Sequence, residues 1–530
     1  MPLDLRPDHL AIVREILHRH APDREVWALG SRVRGTARAA SDLDLCIGGN
    51  QSMGFERLGR LRDAFSASAL PFRVDVVEWA GTGEFFRKVV KRDGVVVKSA
   101  EDWTMLTLGD VIDIKHGYAF KGEFFTENPT GNLLLTPGNF AIGGGFQWGK
   151  KKYYRGDIPE EYVLSPGDLL VTMTDLSKEA DTLGYGAIIP QSKDRLLHNQ
   201  RLGKVVVKAE NVDSCFLHWL FRSPGYRDQV LAGAAGSTVK HTSPRKILSC
   251  RFMFPSLSQQ SDIADVLSTL DDKIELNRRM NGTLEAMARA LFKDWFVDFG
   301  PTRAKAEGRP AYLDPEIWDL FPDGLDGEGK PEGWASKPLD EIAEFLNGLA
   351  LQKFPAPVPD DSLPVIKIAE LRGGITAKTN RASREIPEKY VVKDGDFLFS
   401  WSGSLLAKFW TEGEGALNQH LFKVTSARYP AWFFSQWVFH FLHEFQAIAA
   451  SKATTMGHIQ RGHLKEAMTV GPSDEVLATL GHTIAPLVER GIQNELEAQT
   501  LAQLRDLLLP KLMTGEIRVR EAEKIAEKAI

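Results

Sequence analysis

Apolar residues recur at alternating steps of four and three after Pro255: Ile263, Leu267, Leu270, Ile274, then Asn277 and Asn281, then Leu284, Ala288, Leu291 and Trp295. This is a heptad seam, which a long helix presents to a partner along its length. The pattern returns as Leu480, Ile484, Leu487, Gly491, Asn494, Ala498, Leu501, Arg505, Leu508 and Leu512. One such helix alone is more often an ordinary core-facing helix. Two matched copies each need a partner, and each is the other's obvious one. Helices of about 35 to 40 residues run roughly 50 to 60 Å, so an intramolecular antiparallel pair is expected to act as a spacer. Asn277 and Asn494 recur inside the seam, and a buried asparagine pair there would cost stability and fix register.

The segments between the seams repeat as well. Trp103 to Lys121 aligns with Trp334 to Gln352, Tyr162 to Thr174 with Tyr390 to Ser402, and His198 to Val206 with Leu417 to Thr425. Near the ends, Thr238 matches Thr455, His241 matches His458, and Pro255-Ser256 match Pro472-Ser473. Two similar, non-identical modules imply contact with two similar, non-identical things.

The order module, long helix, module, long helix, together with the phrases FKDWFVDFGP (Phe292 to Pro301), LFPDG, PEGW and LLPKLMTGEI (Leu508 to Ile517), resembles the specificity subunit of type I restriction–modification enzymes. The resemblance covers residues 103 to 520. It implies that each module is a target-recognition domain reading one half of a bipartite site in double-stranded DNA and that the helix pair sets the spacing between halves. It also implies that the helices dock methyltransferase subunits, with restriction/translocase subunits joining through the complex; two seams within one chain predict a monomeric scaffold that recruits two methyltransferase subunits.

Candidate DNA contacts are Lys150, Lys151, Lys152 and Arg155, with Tyr153 and Tyr154 between them: the cations would hold phosphates while neighbouring groups pack or read base edges. A lysine-rich solvated loop is an equal reading of that composition. Asn199-Gln200-Arg201 and Asn418-Gln419-His420 stand at equivalent places and carry side chains suited to base edges; they could equally tie a turn to a sheet. His241 and His458 are matched candidates, though a lone histidine is more often structural. Gly144 to Lys150 fits GxxxxGK, but Lys151 stands where a phosphate loop needs Ser or Thr for magnesium, so it is no ATP site. With no NPPY-type tetrapeptide either, methyl transfer must come from a partner.

The first hundred residues read differently. An apolar run, Val26 to Leu29, leads into Gly30-Ser31, and Asp42 and Asp44 follow two apart, a spacing that puts both carboxylates on one face of a strand. Asp75 lies in another apolar run, Phe72 to Trp79. Three carboxylates from two adjacent strands can hold Mg2+ bridging a nucleoside triphosphate, with helix-opening amides at Gly30 and Ser31 for its phosphates. Residues 8 to 98 resemble a minimal nucleotidyltransferase of the DNA polymerase β type, whose pattern of Gly-Ser, paired aspartates and distal aspartate is complete here. That implies catalytic and metal-binding roles for Asp42, Asp44 and Asp75 and nucleotide binding by Gly30 and Ser31. The family includes nucleotide-transferring enzymes and antitoxins, so an alternative makes nucleotide transfer the main activity and DNA reading a means of localising it.

The expected architecture is multi-domain α/β: a small mixed-sheet nucleotidyltransferase-like domain (1–100), a first target-recognition domain (103–256) and a first spacer helix (257–297). A linker whose aromatic residues pack (298–337), a second target-recognition domain (338–472), a second spacer helix (473–515) and a charged, fraying tail (516–530) complete it. A net charge of −5 excludes indiscriminate coating of DNA and leaves positive charge local. Three scattered cysteines, Cys46, Cys215 and Cys250, form no disulfide framework and fit a reducing cytoplasm. No signal peptide and no membrane span is expected.

Overall fold

The computed structural model describes residues 3–21, 24–38, 41–49, 52–98, 103–175, 177, 179–236, 239–356, 361–451 and 457–528. The chain forms two compact units, Met1–Ser268 with Asp506–Glu527, and Thr269–Arg505 with Lys528–Ile530. Among the described residues no helix is long and apolar enough to cross a membrane.

The first unit opens with α1 (Pro7–His20), β1 (Val26–Leu29), α2 (Ser31–Arg34), β2 (Leu43–Ile47), α3 (Phe55–Ser66), β3 (Val74–Glu78), α4 (Glu84–Asp93) and β4 (Val95–Lys98). Pro7 at the first helical position, where its missing N–H is no loss, starts α1, with Asp8 in the first turn. One turn apart, Val13 and Leu17 are fully buried, and with Leu61 and Phe65 of α3 they cover Val26, Ala28, Leu43 and Leu45 of the sheet. The strand order is β3-β2-β1-β4, with β2 and β3 parallel and the other pairs antiparallel.

The first module, in the same unit, has two main sheets. Four antiparallel strands run in the order Ile112–His116, Leu202–Val207, Leu169–Thr172, Gly186–Ile188. A five-stranded mixed sheet contains one parallel pair, Asn132–Leu134 beside Arg195–Leu197. Thr104–Thr107 and Arg251–Phe254 pair antiparallel, closing the module end to end. The tail is a helix, Val519–Glu527, anchored rather than frayed: Ala522 is fully buried, and Arg518 reaches Glu25 of the N-terminal domain at 3.3 Å.

The second unit repeats the antiparallel four-stranded order and the parallel pair, its mixed sheet having four strands instead of five. Glu344–Asn347, Leu421–Thr425, Phe397–Ser400 and Ala407–Phe409 form the antiparallel four. Ser362–Ile366 and Gly415–Leu417 supply the parallel pair, and Ala335–Pro338 with Met468–Gly471 closes the ends. Phe292, Trp295, Phe296, Trp334, Trp432 and Phe433 share its core. The linker contributes Phe321 to that core, while Tyr312 donates to Asp294 at 2.9 Å.

The long helices are Leu257–Phe292, followed by a π-helical turn Lys293–Val297, and Asp474–Met513. Within the second unit they run antiparallel: Asp271 pairs with Arg505, Asn277 with Glu497 at 3.0 Å, and Asn281 with the carbonyl of Gly491 at 3.0 Å. Ile274, Leu480, Ile484 and Leu501 are buried along the seam, as its spacing requires.

Candidate functional site

The N-terminal sheet places the acidic residues by register. Asp44 on β2 lies directly opposite Asp75 on β3 and opposite Leu29, the last residue of β1. Asp42 precedes β2 by one residue and is exposed. Gly30 follows β1 with φ of +77°, and a Cβ there would stand 2.2 Å from Asp44 Oδ2. Glycine is required twice over, for the left-handed backbone and for the carboxylate's room. Burial, then the charges of Asp75 and Asp42, raise the Asp44 carboxyl above its ordinary value. A half-buried carboxylate crowded by two others is a donor set whose charge a hard divalent cation relieves, so these residues fit Mg2+. Among the described residues no three such side chains stand as a ready metal cluster; the Asp75 carboxylate instead meets Arg73 at 2.9 Å. Ser31 opens α2, a single turn, beside this cluster.

Sequence reasoning missed Arg32. It is 5% exposed, donates from Nε and Nη2 to the Ser41 carbonyl at 3.0 and 2.6 Å, and lies 4.0 Å from the Phe72 ring centroid. It therefore ties the residue before Asp42 to the turn that follows Gly30 and to Phe72, just ahead of β3. Only the extra arginine in the Gly-Ser loop could have signalled it.

In the first module Lys150, Lys151, Lys152 and Arg201 line one open cleft together with Gln147 and Asp175. Lys150 pairs with Glu127 at 2.6 Å, and Lys152 lies over Phe125 at 4.8 Å. Arg155 reaches the Glu123 carbonyl at 3.4 Å and is not part of the cleft lining. Tyr153 and Tyr154, expected to pack or read beside these cations, do the former: they are buried in two aliphatic and aromatic clusters. Asp175 accepts from Ser177 N at 2.6 Å and Thr182 Oγ1 at 2.7 Å, which fixes the cleft wall.

The turns containing Asn199 and Asn418 are built alike. The Asn199 side chain accepts from Arg201 N at 3.0 Å, and Asn418 accepts from His420 N at 3.3 Å. Gly117 and Gly348 approach the two asparagine carbonyls so closely that a Cβ would come within 2.1 and 2.3 Å. Gln200 N donates to Tyr118 and Gln419 N to Leu349. His241 pairs with Thr174 across a short strand and lies 3.2 Å from its hydroxyl. His458 bridges Ser402, the equivalent residue, whose hydroxyl lies 3.0 Å from His420 Nδ1. Trp401, also missed, donates to Asn347 Oδ1 at 2.9 Å and packs against both His420 and His458. The aligned runs ending at Thr174 and Ser402 held its signal. Thr238 and Thr455 lie outside the described residues.

Asn277 and Asn494 are both fully buried, but they do not bond each other. Asn277 donates to Glu497 and Asn494 to Asn281 at 3.0 Å, because the antiparallel stagger sets Asn494 against the other seam asparagine and Asn277 against a residue beside the seam. Among the described residues their side-chain Oδ1 atoms have no hydrogen-bond partner.

Residues 100–286 match the family model described as the type I restriction modification DNA specificity domain, and residues 10–97 match the nucleotidyltransferase domain. The type I restriction enzyme MjaIX specificity subunit of Methanocaldococcus jannaschii is 26% identical over 70% of this chain and 89% of its own length. The probable protein adenylyltransferase MntA of Haemophilus influenzae is 46% identical over 19% of this chain and 87% of its own. The S subunit from M. genitalium, a solved structure, aligns with 78% of this chain and 97% of its own at 14% identity, with a TM-score of 0.47.

Proposed function

For a chain that belongs to the nucleotidyltransferase family through residues 10–97 and carries a type I restriction–modification DNA specificity domain from residue 100, we propose the role of a specificity subunit with a working nucleotidyltransferase at its front. Each module reads one half of a bipartite DNA site, the helix pair spaces the halves, and the scaffold recruits two methyltransferase subunits and, through them, restriction/translocase subunits. The observation that carries this reading is duplication: one strand order and one asparagine-pinned turn occur in both modules, joined to antiparallel helices. Lys150, Lys151, Lys152 and Arg155 supply phosphate contacts, and the turns with His241 and His458 face base edges. Exchanging residues 103–255 for those of a relative tests it, read by mapping methylated sites in a host genome. One half of the sequence changes and the spacer stays; a change in both halves refutes the two-reader arrangement.

In the N-terminal domain Asp42, Asp44 and Asp75 hold magnesium, and Gly30 and Ser31 take the triphosphate. Mg2+ bound there supplies charge neutralisation for the phosphates. An acceptor hydroxyl oxygen bonds the α-phosphorus as the bond to pyrophosphate breaks, and Asp75 takes the hydroxyl proton. Likeness to a probable protein adenylyltransferase favours ATP as donor and a protein as acceptor. It also favours a second reading, in which nucleotide transfer is the main activity and the modules localise it. Neighbouring genes for a methyltransferase and a helicase-nuclease would speak for the first reading, a lone helical toxin-like neighbour for the second.

A further inference from the structure

We infer that Arg201 is the side chain through which the first module recognises a guanine, on a frame that the second module shares and fills with His420. The inference rests on the reading that each module contacts one half-site.

The frame consists of four hydrogen bonds that occur in both turns. Gln200 N donates to the Tyr118 carbonyl at 3.0 Å and Gln419 N to that of Leu349 at 2.9 Å. Leu202 N donates to the Asn199 carbonyl at 2.9 Å and Leu421 N to that of Asn418 at 3.0 Å. Met173 N meets the Arg201 carbonyl at 2.9 Å, and Trp401 N meets that of His420 at 3.4 Å. The fourth is the asparagine oxygen accepting from the N–H of Arg201 or His420.

These bonds divide the labour within each turn. The Asn199 and Asn418 side chains are occupied in holding the backbone, as local side-chain bonds in turns generally are, which makes them framework. The residue two places on is held by its N–H and its carbonyl at once, so its Cα is fixed while its side chain is free to differ. There the modules diverge, arginine against histidine. His420 is tied to Ser402 and set against Trp401. Arg201 is exposed, and among the described residues no hydrogen bond, ion pair or ring contact engages its guanidinium.

A rigid base carrying an unengaged planar fork of donors suits an acceptor pair. Guanine presents O6 and N7 side by side in the major groove, the arrangement that arginine meets with two parallel hydrogen bonds. Lys151 and the other lysines of the same cleft stand where phosphates flanking that base would lie, and such contacts position without discriminating. Discrimination from one bidentate contact is on the order of 10- to 100-fold.

The test uses the full chain with its methyltransferase subunits in a host lacking other methylation, read by genome-wide mapping. The wild-type motif has a G·C pair in one half. With Arg201→Ala that single position becomes degenerate, its preference falling by about 10- to 100-fold, while the other half and the spacer persist. Lys151→Ala lowers methylation evenly and leaves the motif as it was. An unchanged motif in Arg201→Ala, a first half without guanine, or even loss across all sites overturns the assignment but leaves the two-reader arrangement standing. A wild-type motif that is not bipartite, or a change in both halves, refutes that arrangement and this assignment with it.

Discussion

Asp44 is placed where its charge costs the fold, and the proposed nucleotide transfer gives that cost a use. Its folded pKa is raised, first by burial and then by Asp75 and Asp42, so the folded domain holds a proton in a pH range where the unfolded chain has already lost it. Stability of the metal-free domain then falls as pH rises through that range and is lowest, on this account, at neutral pH. Asp44→Asn should therefore raise the thermal midpoint of the metal-free N-terminal transition, remove its further rise with Mg2+, and cut nucleotide transfer by on the order of 100-fold or more. Calorimetry with and without Mg2+, beside a labelled-nucleotide assay, checks this; a variant that is less stable and still responds to Mg2+ would show that Asp44 is merely structural. His198 works in the opposite sense. It is 1% exposed, its Nε2 lies 2.9 Å from the Leu202 carbonyl, and burial depresses its pKa to about 4. The neutral ring is the folded form, so its contribution is complete above the unfolded value of about 6.5 and is lost as pH falls toward 4, a change of about 3 kcal/mol. His198→Leu, which installs the residue found at Leu417, should flatten urea midpoints of the first unit across that window. The neighbouring strands that set Asp44 beside Asp75 were legible in the sequence, because each lies in its own apolar run. The roles of Arg32 and Trp401 were not, since an extra arginine or an aligned run marks a position but not the partners nine and 54 positions away that give it a role.

At the scale of elements, periodicity carried the long helices, apolar runs marked strands of the N-terminal domain, and the repeat made weak signals readable by giving each twice. What periodicity could not give was which seam residues face one another. That depends on the stagger of the helices, and the stagger puts Asn277 against Glu497 and Asn494 against Asn281. Among the described residues each leaves a buried amide oxygen without a hydrogen-bond partner, at a cost of roughly 1 to 3 kcal/mol. Glu497 keeps Lys273 at 3.3 Å if Asn277 is removed. Asn277→Leu should then stabilise the helix pair by about 1 to 2 kcal/mol, seen as a higher urea midpoint with unchanged slope. Combined with Asn494→Leu it should also relax register, giving methylated sites with more than one spacer length. A destabilised Asn277→Leu protein would mean that the polar layer is better satisfied than its hydrogen bonds indicate.

At the scale of the whole chain, each module is closed by a terminal strand pair, Thr104–Thr107 with Arg251–Phe254 and Ala335–Pro338 with Met468–Gly471, and the second also takes Phe292, Leu480 and Ile484 of the long helices into its core. Each module is therefore expected to keep its fold when the helices are altered away from those core positions. The repeat made this organisation visible before any strand order was known. The anchoring of the tail through Arg518 and Glu25 stayed hidden, because it joins residues from opposite ends of the sequence and has no periodicity. If the helix pair sets the distance between half-sites, inserting four residues, about one turn, at facing positions of both long helices lengthens the pair by about 6 Å. At 3.4 Å per base pair that is close to two additional base pairs of spacer. The mapped sequence should keep both halves and gain one or two undefined positions between them. Four residues also rotate a helix by about 40° beyond a full turn, so the inserted protein should methylate more slowly even at its best spacer. An unchanged spacer with full activity would mean that something other than these helices measures the distance.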